Sequence, residues 1–116
     1  LYLGRARRIA SPDQRLALFA AERGCTYPGC DVPADKCEVH HIDDWATGGT
    51  TDITNLTLAC PPNHKLVGNG WATGKLPDHR TAWIPPRRFD RGGPRTNDYH
   101  HPERLRADND DERAGP

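Results

Sequence analysis

Two adjacent histidines, His40 and His41, are the residues best placed to do chemistry, and Asn55 and His64 follow them downstream. Neighbouring residues on a β-strand point to opposite faces, so one imidazole can bind an ion while the other meets a substrate. An imidazole near neutral pKa is also a good general base for water. For an isolated pair of histidines an ordinary structural role would be the better interpretation. Here thiols and polar residues on both sides favour a metal-assisted hydrolytic site.

The four residues suggest a division of roles. If the strand that ends in the histidines pairs with a strand beginning at Asn55, and the next helix folds back, His40 and His64 meet as ligands of a catalytic divalent cation. Two neutral imidazoles suit Mn²⁺, Ni²⁺ or Zn²⁺ better than Mg²⁺, although all four ions stay open. His41 would then take a proton from water, and the amide of Asn55 would fix the loop that presents it. An ion beside a base stabilises a phosphorane, so the set predicts hydrolysis of phosphodiesters.

Four cysteines flank these residues: Cys25, Cys30, Cys37 and Cys60. Four thiols allow either two disulfides or one tetrahedral metal site. No signal peptide is visible, so we expect a reducing, cytoplasmic compartment, which favours metal. Two thiolates from a tight turn and two from paired strands would close a structural Zn²⁺ site.

The composition explains why such a metal would be needed. Apolar residues make up 34% of the 116 residues, the mean hydropathy is −0.86, and there are 11 Gly and 11 Pro. Small cores of this kind usually need a metal or disulfides. The length allows one domain at most. No apolar run approaches the length of a membrane span, so no membrane partner is expected.

Charge is balanced overall but unevenly distributed. Residues 1–24 carry five arginines against two acidic residues, and residues 25–86 carry four basic against seven acidic side chains. This distribution excludes a uniformly basic nucleic-acid platform but leaves a basic N-terminal arm. The expected nucleic-acid contacts are Arg5, Arg7, Arg8 and Lys65.

Several elements must position these residues. Ser11-Pro12 predicts the start of a helix that ends at Gly24, with Leu16, Phe19 and Ala20 on its packing face. Two strands, one short helix and one hairpin should follow. The predicted strands cover residues 37–42 and 55–60, the helix begins at Pro61-Pro62, and the hairpin arms cover residues 71–73 and 79–84.

We divide the chain into three parts. Residues 1–24 form the basic arm and helix, residues 25–86 form the catalytic domain, and residues 87–116 form a tail. The tail is rich in Arg, Asp, Gly and Pro and is predicted to be disordered. The chain contains no Met and opens Leu1-Tyr2-Leu3, so we expect it to be a piece of a longer protein that lacks an upstream domain here.

The order of His40-His41, Asn55 and His64, flanked by paired cysteines, resembles the HNH endonucleases. Further matching positions are Ile42, Trp45, Gly48-Gly49, Thr51-Asp52, Leu56, Leu58 and Cys60. The sequence is similar to the HNH module at the C-terminal end of many actinobacterial proteins, which usually follows a large helical region of unknown function. The resemblance covers residues 1 to about 86. It implies an α+β fold: a small zinc-stapled ββα-metal (HNH) domain with an N-terminal helix, a C-terminal hairpin and a disordered tail.

The resemblance also implies roles for residues. His40 and His64 correspond to the ligands of the catalytic ion, His41 to the general base, and Asn55 to the residue that orients it. Two positions depart from the family pattern. Many relatives have a Cys or His as the fourth zinc ligand where this chain has Asn63, so the fourth ligand is assigned to Cys37. Many also have a further His where this chain has Gly68, which leaves two protein ligands for the catalytic ion.

Two functions therefore stay open. The first is a metal-dependent endonuclease that hydrolyses DNA. The second is a zinc-stabilised nucleic-acid-binding module with weak or no cleavage. His41 and Asn55 favour the first, while Gly68 and the acidic centre of the chain favour the second.

Overall fold

The computed structural model describes residues 2–104, which form an α+β arrangement of two helices and two two-stranded antiparallel sheets. The elements are α1 (Pro12–Glu22), β1 (Glu38–His41), β2 (Leu56–Ala59), α2 (Pro61–Val67), β3 (Ala72–Lys75) and β4 (Thr81–Ile84). Short 3-10 turns join several of them. Within these residues no helix is long and apolar enough to cross a membrane.

Helix α1 begins where the sequence predicts. The Ser11 hydroxyl accepts from the Gln14 amide N–H at 3.1 Å, and the Gln14 side chain accepts from the Ser11 N–H at 3.0 Å, which forms a capping box. At the other end the left-handed residue is Arg23, at φ +66, and its N–H donates to the Phe19 carbonyl. Arg23, and not the expected Gly24, therefore ends the helix.

The packing face of α1 differs from the predicted one. Of the three predicted residues Phe19 packs against the core, but Leu16 is 65% exposed and Ala20 is exposed. The buried residues of the helix are Gln14 and Leu18. Gln14 can be buried because its amide Nε2 donates to the Thr51 carbonyl at 2.8 Å. Apolar periodicity alone therefore selects the wrong stripe, since one of the two buried positions is polar.

The paired strands β1 and β2 confirm the two strands predicted around the histidines, each slightly shorter than expected. Their register places His40 opposite Thr57 and His41 opposite Leu56. All of β2 is buried, and Leu56 and Leu58 belong to the small apolar core. Helix α2 starts at the two prolines after Cys60 and packs against β1. This packing brings His64 to the strand that carries the histidine pair.

The predicted hairpin is also present, as β3 and β4, with Thr73 opposite Trp83. Trp83 is completely buried, and its indole N–H donates to the Thr26 hydroxyl at 3.0 Å. The Tyr27 ring lies 5.4 Å from the rings of both Trp71 and Trp83. The hairpin is therefore joined to the turn that carries the first two cysteines.

The prediction of a disordered tail is wrong for residues 87–104. The Trp83 N–H donates to the Arg95 carbonyl at 2.7 Å, and Asn97 is 7% exposed. The Asn97 amide donates to the carbonyls of Cys25 and Cys30. Polar side chains hold this segment in place, and a count of apolar residues does not detect them. The prediction for residues 105–116 lies outside the described residues.

Candidate active site and metal centre

A surface cleft of about 760 Å³ lies between the N-terminal arm, β1 and α2. Its lining includes His40, His41 and His64, together with Arg8 and Trp45. The structure thus brings together in one cleft the three histidines that the sequence singles out.

The rings of His40 and His64 converge inside this cleft. Nδ1 of His40 lies 3.2 Å from Nε2 of His64. Two metal–nitrogen bonds of about 2.1 Å, at angles between square and tetrahedral, would place their nitrogens roughly 3.0–3.4 Å apart, so the pair fits a shared cation. Burial, followed by the charges of His64 and His41, lowers the pKa of His40 to about 4. At neutral pH this ring is therefore in the neutral form that binds metals.

The outward nitrogens of the same two rings also have partners. Nε2 of His40 lies 3.1 Å from the Thr73 hydroxyl, and Nδ1 of His64 lies 3.2 Å from a carboxylate oxygen of Glu38. Histidines that bind metals usually donate their other N–H to such acceptors, which fixes the tautomer and the ring orientation. Sequence reasoning missed both partners. Glu38 had a signal, since it lies two residues before His40 and so shares its face of β1, whereas nothing in the sequence indicates Thr73.

His41 contacts the other side of the cleft. Its Nε2 lies 3.0 Å from the Thr51 hydroxyl, and that hydroxyl donates its own proton to the Arg8 carbonyl at 3.1 Å. When Thr51 donates to Arg8 it accepts from His41, and in that tautomer the ring proton is on Nε2 and Nδ1 is the basic nitrogen. Burial, together with the charge of Arg8, lowers the pKa of His41. The neutral, basic form therefore prevails at neutral pH.

Asn55 fixes the loop that follows β1. It is 9% exposed, and its amide donates to the Asp43 carbonyl at 3.1 Å and to the Thr50 carbonyl at 2.8 Å. Its oxygen accepts from the Asp43 N–H at 2.8 Å. These three bonds tie both ends of the loop together directly after His41. The positioning role that the resemblance implies for Asn55 stays a prediction.

The predicted nucleic-acid contacts occupy different settings. The Arg5 guanidinium donates to the Trp45 and Gly49 carbonyls at 2.8 Å each and lies 3.9 Å from the Trp45 ring centroid. Arg5 thus braces the loop beside the cleft. Arg7, Arg8 and Lys65 are exposed, and Arg8 also lines the cleft.

Three of the four cysteines form a compact group. The Sγ atoms of Cys25, Cys30 and Cys60 all lie within 4.8 Å of one another, and those of Cys30 and Cys60 are 3.8 Å apart. A tetrahedral zinc with bonds of about 2.3 Å places its sulfurs about 3.8 Å apart, so this group could hold a metal ion such as zinc. Burial raises the pKa of Cys30 to about 12, so metal binding there releases a proton.

Cys37 is not a member of this group. Its thiol donates to the Pro33 carbonyl at 3.4 Å, so the structure does not support its assignment as the fourth ligand. The side chain of Asn63 contacts the group, since its Nδ2 is 3.7 Å from the Cys25 sulfur. Cys37 lies between a 3-10 turn and the start of β1. The turn that holds Cys25 and Cys30 is attached to β2 instead, because the Thr26 N–H donates to the Leu58 carbonyl.

Comparison with known proteins shows what this part of the chain is similar to. Residues 23–70 match the HNH endonuclease family model. The chain is 50% identical over 112 residues to the uncharacterized protein Rv1945 of Mycobacterium tuberculosis, and 49% identical over 112 residues to the uncharacterized protein Mb1179c of Mycobacterium bovis. Each alignment covers 97% of this chain and 25% of the relative, so the chain spans about a quarter of their length. No solved structure gives a significant match. The match over residues 23–70 therefore confirms the resemblance to the HNH endonucleases.

Proposed function

We propose that this domain is a metal-dependent HNH endonuclease that hydrolyses DNA phosphodiester bonds. The observation that carries the proposal is the arrangement of three histidines in one cleft. His40 and His64 present converging nitrogens 3.2 Å apart, while His41, the next residue on β1, keeps Nδ1 free of the proton that Thr51 holds on Nε2. Metal ligands and a base therefore stand side by side, in a unit of two strands and a helix that corresponds to a ββα-metal fold.

A divalent cation held by His40 and His64 would stabilise the negative charge that develops on the phosphate and on the leaving oxygen. Glu38 and Thr73 would act through these ligands, each accepting from the outward N–H of one ring. They keep the inward nitrogens unprotonated and directed at the cation.

His41 supplies the base. Its Nδ1 takes a proton from the attacking water as the water oxygen bonds to phosphorus, and the bond from phosphorus to the leaving oxygen breaks. Thr51 holds the ring in the required tautomer, and Asn55 holds the loop behind it. Both residues thereby position a base that is neutral at neutral pH.

The three grouped cysteines would have a separate, structural role. A zinc ion bound by Cys25, Cys30 and Cys60 would join the first cysteine turn to the end of β2 and the start of α2, which carries His64. A small, weakly apolar chain needs such a connection. The exposed cations Arg7, Arg8 and Lys65 would contact DNA phosphates around the cleft.

The test is plasmid nicking by the purified protein in EDTA and with Mg²⁺, Mn²⁺, Ni²⁺ or Zn²⁺ added. We expect nicking only when a divalent ion is present. Absence of nicking with every ion would contradict the proposal.

The alternative function is a zinc-stabilised nucleic-acid-binding module. It is favoured by Gly68, which lines the cleft without offering a ligand. DNA binding in a gel-shift assay without cleavage under any ion would support it. In either case we propose that the domain works within a longer polypeptide with an upstream domain, because the relatives are much longer than this chain.

A further inference from the structure

The chain returns after β4 to the turn that carries the first two cysteines. We call residues 95–104 the strap and residues 25–30 the cysteine turn. Strap and turn are far apart in sequence, and the strap lies beyond the residues that match the HNH family. One of their contacts, from the Asn97 amide to the Cys25 carbonyl, is nonetheless buried.

Asn97 makes the central contact. It is 7% exposed, and its amide nitrogen donates to the Cys25 carbonyl at 2.7 Å and to the Cys30 carbonyl at 2.9 Å. Its oxygen accepts from the Gly29 N–H at 3.1 Å and from the Tyr99 N–H at 3.0 Å. Both hydrogens and both lone pairs of the amide are thus used. Asn97 therefore binds the first and the last residue of the cysteine turn at once.

Two further contacts seat the strap on the residues just before Cys25. A Cβ added at Gly24 would lie 2.3 Å from Nε2 of His100, so the ring occupies the space that any other residue would fill. Nε2 of His101 donates to the Glu22 carbonyl at 3.1 Å, near the end of α1. The strap thus fixes the path by which the chain leaves α1 and enters the turn.

These contacts affect how the sulfurs of the three grouped cysteines are placed. The two carbonyls that Asn97 binds belong to Cys25 and Cys30, whose sulfurs lie within 4.8 Å of each other and of Cys60. Turning either peptide plane would change the separation of the sulfurs and leave a carbonyl without its partner, which is costly above all for the buried contact at Cys25. The conformation of the cysteine turn in which both carbonyls accept from Asn97 is therefore also the one that brings the sulfurs together.

We propose that Asn97 is a positioning residue of the zinc site and that docking of the strap is coupled to zinc binding. The inference rests on the structural zinc of the proposed function, but not on DNA cleavage. Coupling is reciprocal, so a docked strap tightens zinc binding as much as zinc tightens docking. Asn97 itself touches no metal and acts through the backbone of the two cysteines.

The test measures zinc affinity by competition with a chelator for the wild type, Asn97→Ala and Asn97→Asp. Aspartate keeps the size of asparagine but loses both donors to the cysteine carbonyls. Both variants should bind zinc about 10- to 100-fold more weakly, as is usual for groups that orient ligands. With Co²⁺ in place of zinc, the d–d absorption bands of both should shift. Asn69→Ala is the matched control, since the exposed Asn69 amide donates only to the Lys65 carbonyl.

A second pair of variants tests the coupling without Asn97. Gly24→Ala should displace the strap through the clash with His100 and weaken zinc binding, and adding His100→Ala should restore most of the affinity. This pair decides the matter if the Asn97 variants do not fold. If Asn97→Ala, Asn97→Asp and Gly24→Ala all bind zinc within about twofold of the wild-type affinity, the proposal is overturned. A wild type that binds no zinc would instead refute the ligand assignment, whatever the protein does to DNA.

Discussion

The hydroxyl of Thr51 lies 3.0 Å from Nε2 of His41 and gives its own proton to the Arg8 carbonyl. Thr51 is completely buried, and its carbonyl in turn accepts from the Gln14 amide at 2.8 Å. Arg8 and Gln14 precede residue 23, where the match to the HNH family begins. The ring of His41 is thus held by a hydrogen-bond chain that reaches into the N-terminal arm and α1.

Thr51→Val should therefore reduce kcat with little change in KM. Valine keeps the shape of threonine but cannot accept from His41, and a misdirected base costs about 10- to 100-fold. Thr51→Ser keeps the hydroxyl and should retain most of the activity. Nicking rates give kcat, and ¹⁵N chemical shifts of the His41 ring report the tautomer. Equal rates for the Val and Ser variants would show that the hydroxyl is not needed.

The carboxylate of Glu38 lies 3.2 Å from Nδ1 of His64 and should set the affinity for the catalytic ion. Glu38→Gln weakens this acceptor, so the Mn²⁺ concentration that half-saturates cleavage should rise about 10- to 100-fold. Cleavage should recover at high Mn²⁺. Asp13→Asn, at the exposed start of α1, makes the same chemical change away from the cleft and should have no effect. An unchanged Mn²⁺ dependence in Glu38→Gln would contradict this role.

Much of the backbone could be predicted because local signals agree with the fold. Ser11-Pro12 begins α1, Pro61-Pro62 begins α2, and the alternation around Leu56 and Leu58 marks β2. The histidine pair was likewise recognisable, since residue types and spacing alone carry that chemistry. These features depend on neighbours in the chain, so they can be recognised without knowledge of the fold.

The supporting residues could not be predicted, because their partners are distant in sequence. Thr73 contacts His40 only because the hairpin folds over β1. Gln14 and Asn97 are buried polar residues whose partners are backbone groups elsewhere in the chain. A polar residue gives no periodic signal of burial, so Gln14 was left out of the packing face of α1 and residues 87–104 were predicted to be disordered.

The buried His40 predicts how stability depends on pH in the absence of added catalytic ion. Its pKa is about 4 in the folded protein and 6.5 in an exposed histidine. The unfolded state therefore binds the proton first, so the free energy of unfolding should fall as the pH drops from 6.5 towards 4. The expected loss is about 3 kcal/mol. Denaturant titrations should show this loss in wild type and not in His40→Gln, and parallel losses in both proteins would contradict the assignment.

The grouping of Cys25, Cys30 and Cys60 predicts that cysteine variants differ in their effects. Cys60→Ser removes one of the three converging sulfurs and should cost both the bound zinc and much of the thermal stability. Cys37→Ser should keep about one zinc per chain and melt close to wild type. Zinc content and melting curves measure both. If Cys37→Ser lost zinc as Cys60→Ser does, Cys37 would be the fourth ligand after all.

The central claim is that His41 is the base beside an ion held by His40 and His64, and nicking by His41→Ala tests it most directly. With the divalent ion that best supports wild-type cleavage, this variant should nick supercoiled plasmid about 10²- to 10⁴-fold more slowly. It should keep its structural zinc and its affinity for the catalytic ion, because the ligands are intact. His79→Asn, an exposed histidine outside the cleft, is the control and should nick normally. Nicking by His41→Ala at the wild-type rate would contradict the account.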